Sequence, residues 1–295
     1  MTFTSLVSIY KYNYTIILFN TLVKQTFSGN PYVKSGYRGY LPPLMCLRSL
    51  FMKTNETMNI WIHLLPGLYY FFKYYSDASM INGYNNTHWG DHISFISMVM
   101  CIQICMFASA CYHMFNCNSQ KACYHLLNVD CLGIGIGLSG CVFPVLYYAF
   151  KCYPDLRNNY LAILAVVFGV GLYFISRPEF GSKSWTMFRI MTYTAVAASG
   201  ILPTTHWVLL HGIDSEIVAL FVPRIVTLYV LAGIGCFFYL TRFPESLWPG
   251  KFDFLGHSHQ WWHVCSALIF VVGHHTMTVL FLFLQDNGCA NGRKL

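Results

Sequence analysis

Long apolar runs separated by short polar loops dominate the hydrophobic pattern of this chain. Each run has about 20 apolar residues, the length that an α-helix needs to cross the hydrocarbon core of a bilayer. The runs are continuous rather than alternating, so a membrane β-barrel is disfavoured. The pattern predicts an all-α bundle of seven transmembrane helices, at residues 59–77, 92–113, 124–150, 158–176, 187–210, 217–240 and 260–284.

The composition of the chain agrees with a membrane protein. Of the 295 residues, 56% are hydrophobic and only 10% are charged, whereas soluble domains have about 25% charged residues. Such a chain cannot cover itself with polar surface. We therefore divide it into an N-terminal cytoplasmic segment at 1–55, a seven-helix membrane domain at 56–285 and a short outer tail at 286–295.

The placement of the positive charges predicts the orientation of the bundle. The net charge is +7, and most lysines and arginines lie on the cytoplasmic side of the membrane if the N-terminus is cytoplasmic. The other side then receives only Lys73, Lys151, Arg157, Arg293 and Lys294. Because cytoplasmic loops are enriched in Lys and Arg, we expect the N-terminus inside and the C-terminus outside. The charges lie in short loops rather than on one basic face, which excludes a nucleic-acid partner.

Small residues inside the apolar runs predict close packing of helices. The third run contains Gly133, Gly135, Gly137 and Gly140, and small residues four apart let helix backbones approach each other in a membrane. A nucleotide-binding loop would also contain glycines, but it needs a preceding strand, which this apolar pattern lacks. Most of the twelve cysteines are interpreted as small core residues, among them Cys101, Cys105, Cys131, Cys141, Cys236 and Cys265.

A histidine pair at the start of the last run is the strongest chemical signal. His259 and His263 are four residues apart, so both imidazoles project from one helix face and can bind one metal ion. Further polar residues lie far upstream, at Ser109, His113 and Asp130. In the predicted topology the second run ends, and the third and seventh begin, at the cytoplasmic face. We therefore expect these residues to converge there.

Three imidazoles and one open position make a catalytic zinc site, which lowers the pKa of bound water to about 7. Ser109 precedes His113 by one helical turn and could hydrogen-bond that water or a substrate carbonyl. Asp130 could accept a hydrogen bond from a ligand's second nitrogen or act as the general base. An acidic residue inside a span costs about 2.5–3.5 kcal/mol, which makes Asp130 a functional candidate.

Other polar residues near these runs are interpreted as structural. An isolated histidine near a helix end is more often a hydrogen-bonded interfacial residue than a ligand, and we interpret His63 in this way. His274 is assigned no role. Thr54 or Asn55 could cap the first helix, and Glu56 would complement the positive end of its dipole.

Taken together, these residues resemble the progestin and adipoQ receptor family of seven-helix proteins. The resemblance covers residues 36–285. It implies that His113, His259 and His263 are zinc ligands, with Ser109 and Asp130 beside the metal-bound water. The same pattern is similar to that of alkaline ceramidases, which hydrolyse lipid amides. The matching stretches are 56–63, 109–113, Asp130, 243–253 and 259–263.

The segment at residues 36–42, ahead of the first span, and the stretch Asn55–Thr57 are most similar to the Golgi-resident family member that traps Raf kinase. This similarity implies Golgi residence, with the plasma membrane as an alternative, and a cytosolic kinase of the Raf type as a partner. Three functions stay open: holding such a kinase at the membrane to regulate signalling, zinc-dependent hydrolysis of a ceramide-like membrane lipid, and ligand binding as a receptor.

Overall fold

The computed structural model describes residues 30–289. These residues form α-helices and 3₁₀ turns and include no β-strand, which confirms the all-α prediction. Residues 1–29 of the predicted N-terminal segment and 290–295 of the tail lie outside the described range. The helices are α1 (Pro43–Arg48), α2 (Thr57–Asn82), α3 (Trp89–Phe115), α4 (Gln120–Ala149), α5 (Pro154–Ile175), α6 (Thr186–Ala198), α7 (Ile201–His211), α8 (Glu216–Thr241) and α9 (Ser258–Asn287).

Five of the described helices are long and apolar enough to cross a membrane, by length and composition: α3, α4, α5, α8 and α9. Among them α3, α4 and α9 are the most buried, whereas α5 and α8 leave many large apolar side chains exposed, such as Val166 and Val226. Helix α2 covers the first predicted span and is less apolar than these five. The interior of the bundle is thus built from α3, α4 and α9.

The predicted fifth span requires a correction. Instead of one continuous helix at 187–210, the chain forms α6 and α7, separated at Ser199 and Gly200. Pro203 has no N–H to donate to the carbonyl of Ser199, so the hydrogen-bond ladder is interrupted at this point. The ladder resumes where Thr204 N–H donates to the Gly200 carbonyl at 3.2 Å.

Close packing of α3 against α4 depends on the glycines of α4, as the sequence predicts. A Cβ atom on Gly140 would lie 2.2 Å from the Cβ of Cys101, and one on Gly133 would lie 3.1 Å from the Cβ of Ala108. Glycine at these positions therefore lets the two backbones approach closely. This packing sets the first half of α4, with Asp130, beside the last turns of α3.

One disulfide joins Cys152, in the loop after α4, to Cys289, just beyond α9. The sequence did not indicate this bond. The six cysteines expected to be core residues are all free, and four of them are buried. The disulfide lies at the end of the bundle where α4 and α9 finish, opposite the end where both helices begin.

Candidate metal centre

Three histidines converge at the end of the bundle where α4 and α9 begin. His113 lies in the last turn of α3, and His259 and His263 lie in the first two turns of α9. One nitrogen from each ring lies within 4.8 Å of the others. The Nε2 atom of His113 is 3.3 Å from that of His259 and 3.0 Å from that of His263. The convergence expected from the predicted topology is therefore present.

The other ring nitrogen of His113 has a carboxylate partner. Nδ1 of His113 lies 2.7 Å from Oε2 of Glu56, the residue that precedes α2. Burial alone raises the pKa of Glu56, but the charges of His113 and Arg38 outweigh it and hold that pKa well below its usual range. An ionised carboxylate can only accept, so Nδ1 of His113 donates to Glu56, and Nε2 is the ring nitrogen that faces the centre.

The second nitrogen of His263 also has a protein partner. Nδ1 of His263 is 3.0 Å from Nε2 of His63, a buried residue of α2. When Nδ1 donates to His63, the Nε2 lone pair of His263 points towards His113 and His259. Metal-binding histidines in proteins almost always donate their other N–H in this way, because the hydrogen bond fixes both the tautomer and the ring orientation.

The donor set fits a zinc ion. One imidazole lone pair can accept only one good hydrogen bond, yet the Nε2 atom of His113 faces the Nε2 atoms of both His259 and His263. A shared cation would satisfy all three lone pairs. Tetrahedral zinc with Zn–N bonds of about 2.0–2.1 Å places neighbouring nitrogens about 3.3–3.4 Å apart. The two pairs that include His113 are close to this, at 3.0 and 3.3 Å, and all three nitrogens lie within 4.8 Å of one another.

Ser109 and Asp130 lie beside the three histidines. Ser109 is one turn before His113 on α3, and its Oγ is buried. The Asp130 carboxylate of α4 lies near both Ser109 and His113, but no described protein atom is in hydrogen-bonding position to Ser109 Oγ. A buried hydroxyl without a partner is costly, so this one is suited to a water molecule or a substrate oxygen.

Two of the candidate ligands have partners other than Asp130 for their second ring nitrogen. The second nitrogen of His113 is paired with Glu56, and that of His263 with His63. For His113 and His263 that hydrogen bond therefore goes to Glu56 and His63, and the role of Asp130 as such an acceptor stays a prediction. The role of Asp130 as a general base stays a prediction.

A segment ahead of α2, residues 30–56, covers this end of the bundle and is called the cover segment. Arg38 is 3% exposed and donates to the backbone carbonyls of His113 and Met114, the latter at 3.0 Å. Its guanidinium also donates to Oδ1 of Asn116 at 2.9 Å and to Oγ of Ser49 at 2.7 Å. The last carbonyls of a helix lack intrahelical partners, so Arg38 completes the end of α3.

Sequence reasoning missed Glu56, His63 and Arg38 as parts of the site. Glu56, Asn59 and His63 are spaced i, i+3 and i+7, which places them on one helix face, and Asn59 Nδ2 donates to Glu56 at 2.7 Å. That spacing was a usable signal. Arg38 had no comparable signal, because its partners at the end of α3 lie about 75 residues away along the chain.

Fold and site together define a multi-helix membrane protein with a cluster of three histidines, two of them buried and His259 half-buried. The haemolysin-III-related family model matches residues 51–274, which is most of the chain. The chain is 35% identical over 263 residues to progestin and adipoQ receptor family member 3 of Mus musculus, covering 88% of this chain and 84% of that protein. The protein therefore belongs to the haemolysin-III-related family of progestin and adipoQ receptors.

Other relatives agree with this assignment. The protein of Homo sapiens with the same name as the mouse relative is 34% identical over the same shares of both chains. Heptahelical transmembrane protein 1 of Arabidopsis thaliana is 30% identical over 276 residues, covering 88% of this chain and 80% of that protein. The resemblance to the family expected from the sequence motifs is confirmed.

Proposed function

We propose that this chain is a seven-helix protein with a zinc site of His113, His259 and His263, which acts as a hydrolase of a lipid amide. The observation that carries the proposal is the convergence of three imidazole nitrogens within 4.8 Å next to the unpartnered hydroxyl of Ser109. Three protein ligands leave a fourth position free, whereas structural zinc sites normally use four.

The proposed orientation has the N-terminus in the cytosol and the C-terminus in the lumen or outside the cell. The Cys152–Cys289 disulfide supports it, because disulfides persist in oxidising compartments. At the site end, Cys46 and Cys117 stay free although their Sγ atoms are only 3.6 Å apart, as expected in a reducing cytosol. The heptahelical name of the Arabidopsis relative supports the count of seven spans, with α6 and α7 together forming one of them.

Each residue of the proposed site has a distinct task in amide hydrolysis. A bound zinc ion would supply a Lewis acid and lower the pKa of water. Ser109 would donate its free hydroxyl to the carbonyl oxygen of the substrate, where negative charge develops. Asp130 would accept the proton from the attacking water and deliver it to the leaving amine. Glu56 and His63 would hold the ligand rings in orientation.

An apolar cavity of about 140 Å³ inside the bundle supports a lipid substrate. Its walls come from α4, α6, α7, α8 and α9 and include Trp207, Phe221 and Ile269. Ile269 follows His263 by six residues, or about 9 Å along α9. An acyl chain in this cavity would therefore lie close to the proposed metal centre.

Two measurements on purified protein test the proposal. Elemental analysis is expected to find about one zinc per chain, lost in His263→Ala and retained in His274→Ala. His274 is the matched control, because both histidines are buried and lie on α9. Fatty-acid release from ceramide is expected from wild type and should fall sharply in Asp130→Ala. Wild-type protein without zinc would refute the site, and zinc-loaded protein without ceramide cleavage would refute the hydrolase.

A second candidate function is to hold a cytosolic kinase of the Raf type at the Golgi membrane. The ordered cover segment favours it, because Arg48 is exposed beside the exposed apolar side chains of Leu44, Leu47 and Phe51. Zinc would then be only a structural element. Co-purification of the kinase with a zinc-loaded protein that cleaves no ceramide would favour this function.

A further inference from the structure

The cover segment contacts the candidate metal centre through two charged side chains, the buried Arg38 and the half-buried Glu56. Arg38 donates to the carbonyl of His113, and Glu56 accepts from the Nδ1 atom of the same residue. The two groups therefore hold His113 from its backbone side and from its ring side. Arg38 and Glu56 lie near the two ends of one loop of the cover segment. The hydrogen bond from the Asn55 N–H to the Gly36 carbonyl, at 3.0 Å, closes this loop.

The cover segment is also fixed to the start of α9, which carries the other two histidines. Asp253 accepts from the N–H of Lys34 at 2.8 Å and from the hydroxyl of Ser35 at 2.6 Å. Nε2 of His257, the residue before α9, lies 3.1 Å from the carbonyl of Asn55. The segment thus bridges the end of α3 and the start of α9, the two elements that must stay together for three imidazoles to converge.

Gly36 makes this close docking possible. Its φ of +84° is in the left-handed region, and a Cβ atom there would lie 2.7 Å from the Phe254 ring. The loop before α9 therefore fits against the cover segment only with glycine at this position.

We propose that Glu56 and Arg38 are positioning residues for His113, and that through them docking of the cover segment and metal binding strengthen each other. The inference rests on the proposed zinc site. Glu56 fixes the tautomer and the plane of the His113 ring, which lets Nε2 present its lone pair to the ion. Arg38 fixes the backbone from which that ring projects. Because linkage is reciprocal, a bound ion must then also stabilise the docked segment.

The first test measures zinc affinity of the purified full-length chain by competition with a chromophoric chelator. Glu56→Ala should weaken zinc binding by about 10–100-fold, the usual effect of removing a hydrogen-bond partner of a ligand. Glu56→Gln should recover part of the loss, since the amide oxygen can still accept. Arg38→Gln should weaken zinc binding as well.

Two matched controls separate positioning from general loss of stability. Asp91→Asn removes a buried carboxylate at the far end of α3, where it pairs with Lys151. Arg189→Gln removes an arginine that donates to the carbonyl of Phe180 and the hydroxyl of Tyr239 rather than to the end of α3. Both should bind zinc as wild type does. If either control weakens binding as much as Glu56→Ala, or if Glu56→Ala binds as wild type does, the inference is wrong.

The second test needs no variant. Hydrogen exchange of wild-type protein with and without zinc reports docking through the N–H of Leu41, which donates to the Cys117 carbonyl at 3.0 Å, and the N–H of Asn55. Chelation should speed exchange at both amides. Equal exchange in both states would overturn the coupling. A wild type that binds no zinc would instead refute the proposed function, so the two failures are distinguishable.

Discussion

The Cys152–Cys289 disulfide leads to a prediction about both stability and orientation. It joins residues 137 positions apart, so that α5 to α9 lie inside the closed loop. The chain-entropy relation gives about 5 kcal/mol of stabilisation for a loop of this length at 25 °C. Helices that stay formed in detergent or lipid already restrict the unfolded chain, so we expect a smaller effect, about 2–4 kcal/mol.

The stability part is tested with Cys289→Ser in detergent micelles. The variant should unfold about 5–10 °C below wild type, and a reductant should lower the unfolding temperature of wild type to the same value without affecting the variant. Cys46→Ser is the control, because Cys46 forms no disulfide, and this variant should still respond to the reductant. A wild-type unfolding temperature that does not change on reduction would refute the stabilisation.

The orientation part is tested in sealed microsomes with a membrane-impermeant maleimide added from the cytosolic side. Cys289 should stay unlabelled until the membrane is opened and the disulfide is reduced, because we place it in the lumen. Labelling of Cys289 in sealed, unreduced vesicles would refute both the bond and the proposed orientation.

Two further predictions concern packing and buried polar groups. Gly140→Leu should lower stability by about 1–3 kcal/mol or more, because a Cβ atom there would lie 2.2 Å from the Cβ of Cys101; denaturant unfolding that matches wild type would contradict close packing of α3 and α4. Asp77→Ala should cost about 1–3 kcal/mol, because Nε2 of His274 loses its partner at 2.8 Å while the partly exposed Lys73 can reach water. The Asp77→Ala variant should keep the zinc content of wild type, and a loss of zinc would contradict the separation of the Asp77–His274 pair from the proposed metal site.

The helices could be predicted because apolar runs of membrane-spanning length have few alternatives. The break between α6 and α7 could not, although Pro203 is visible in the sequence. Pro66, Pro144 and Pro223 lie inside α2, α4 and α8, which continue through them. In a helix bundle, neighbouring groups can satisfy the carbonyl that a proline leaves free. A proline alone therefore does not decide whether a span is interrupted.

The candidate ligands could be predicted because spacing along a helix and the order of spans are both properties of the sequence. The partners of the ligands could not, because they depend on how side chains of different helices face each other. Glu56 was assigned to the dipole of α2, yet its carboxylate turns to His113. The disulfide was missed for a similar reason, since only the fold brings Cys152 and Cys289 to the same end of the bundle.

Helix α9 shows why residue type alone does not identify a ligand. His263 and His274 are both buried on this helix, and their positions in an apolar run look alike. Nδ1 of His263 pairs with His63, which leaves its Nε2 facing another imidazole nitrogen. Nε2 of His274 pairs with the Asp77 carboxylate, and its ring packs against Tyr70 and Phe95. Imidazole nitrogens that face each other can share a cation, whereas a ring nitrogen that faces a carboxylate already has a partner. The partner of each ring nitrogen therefore separates the candidate ligand from the structural histidine.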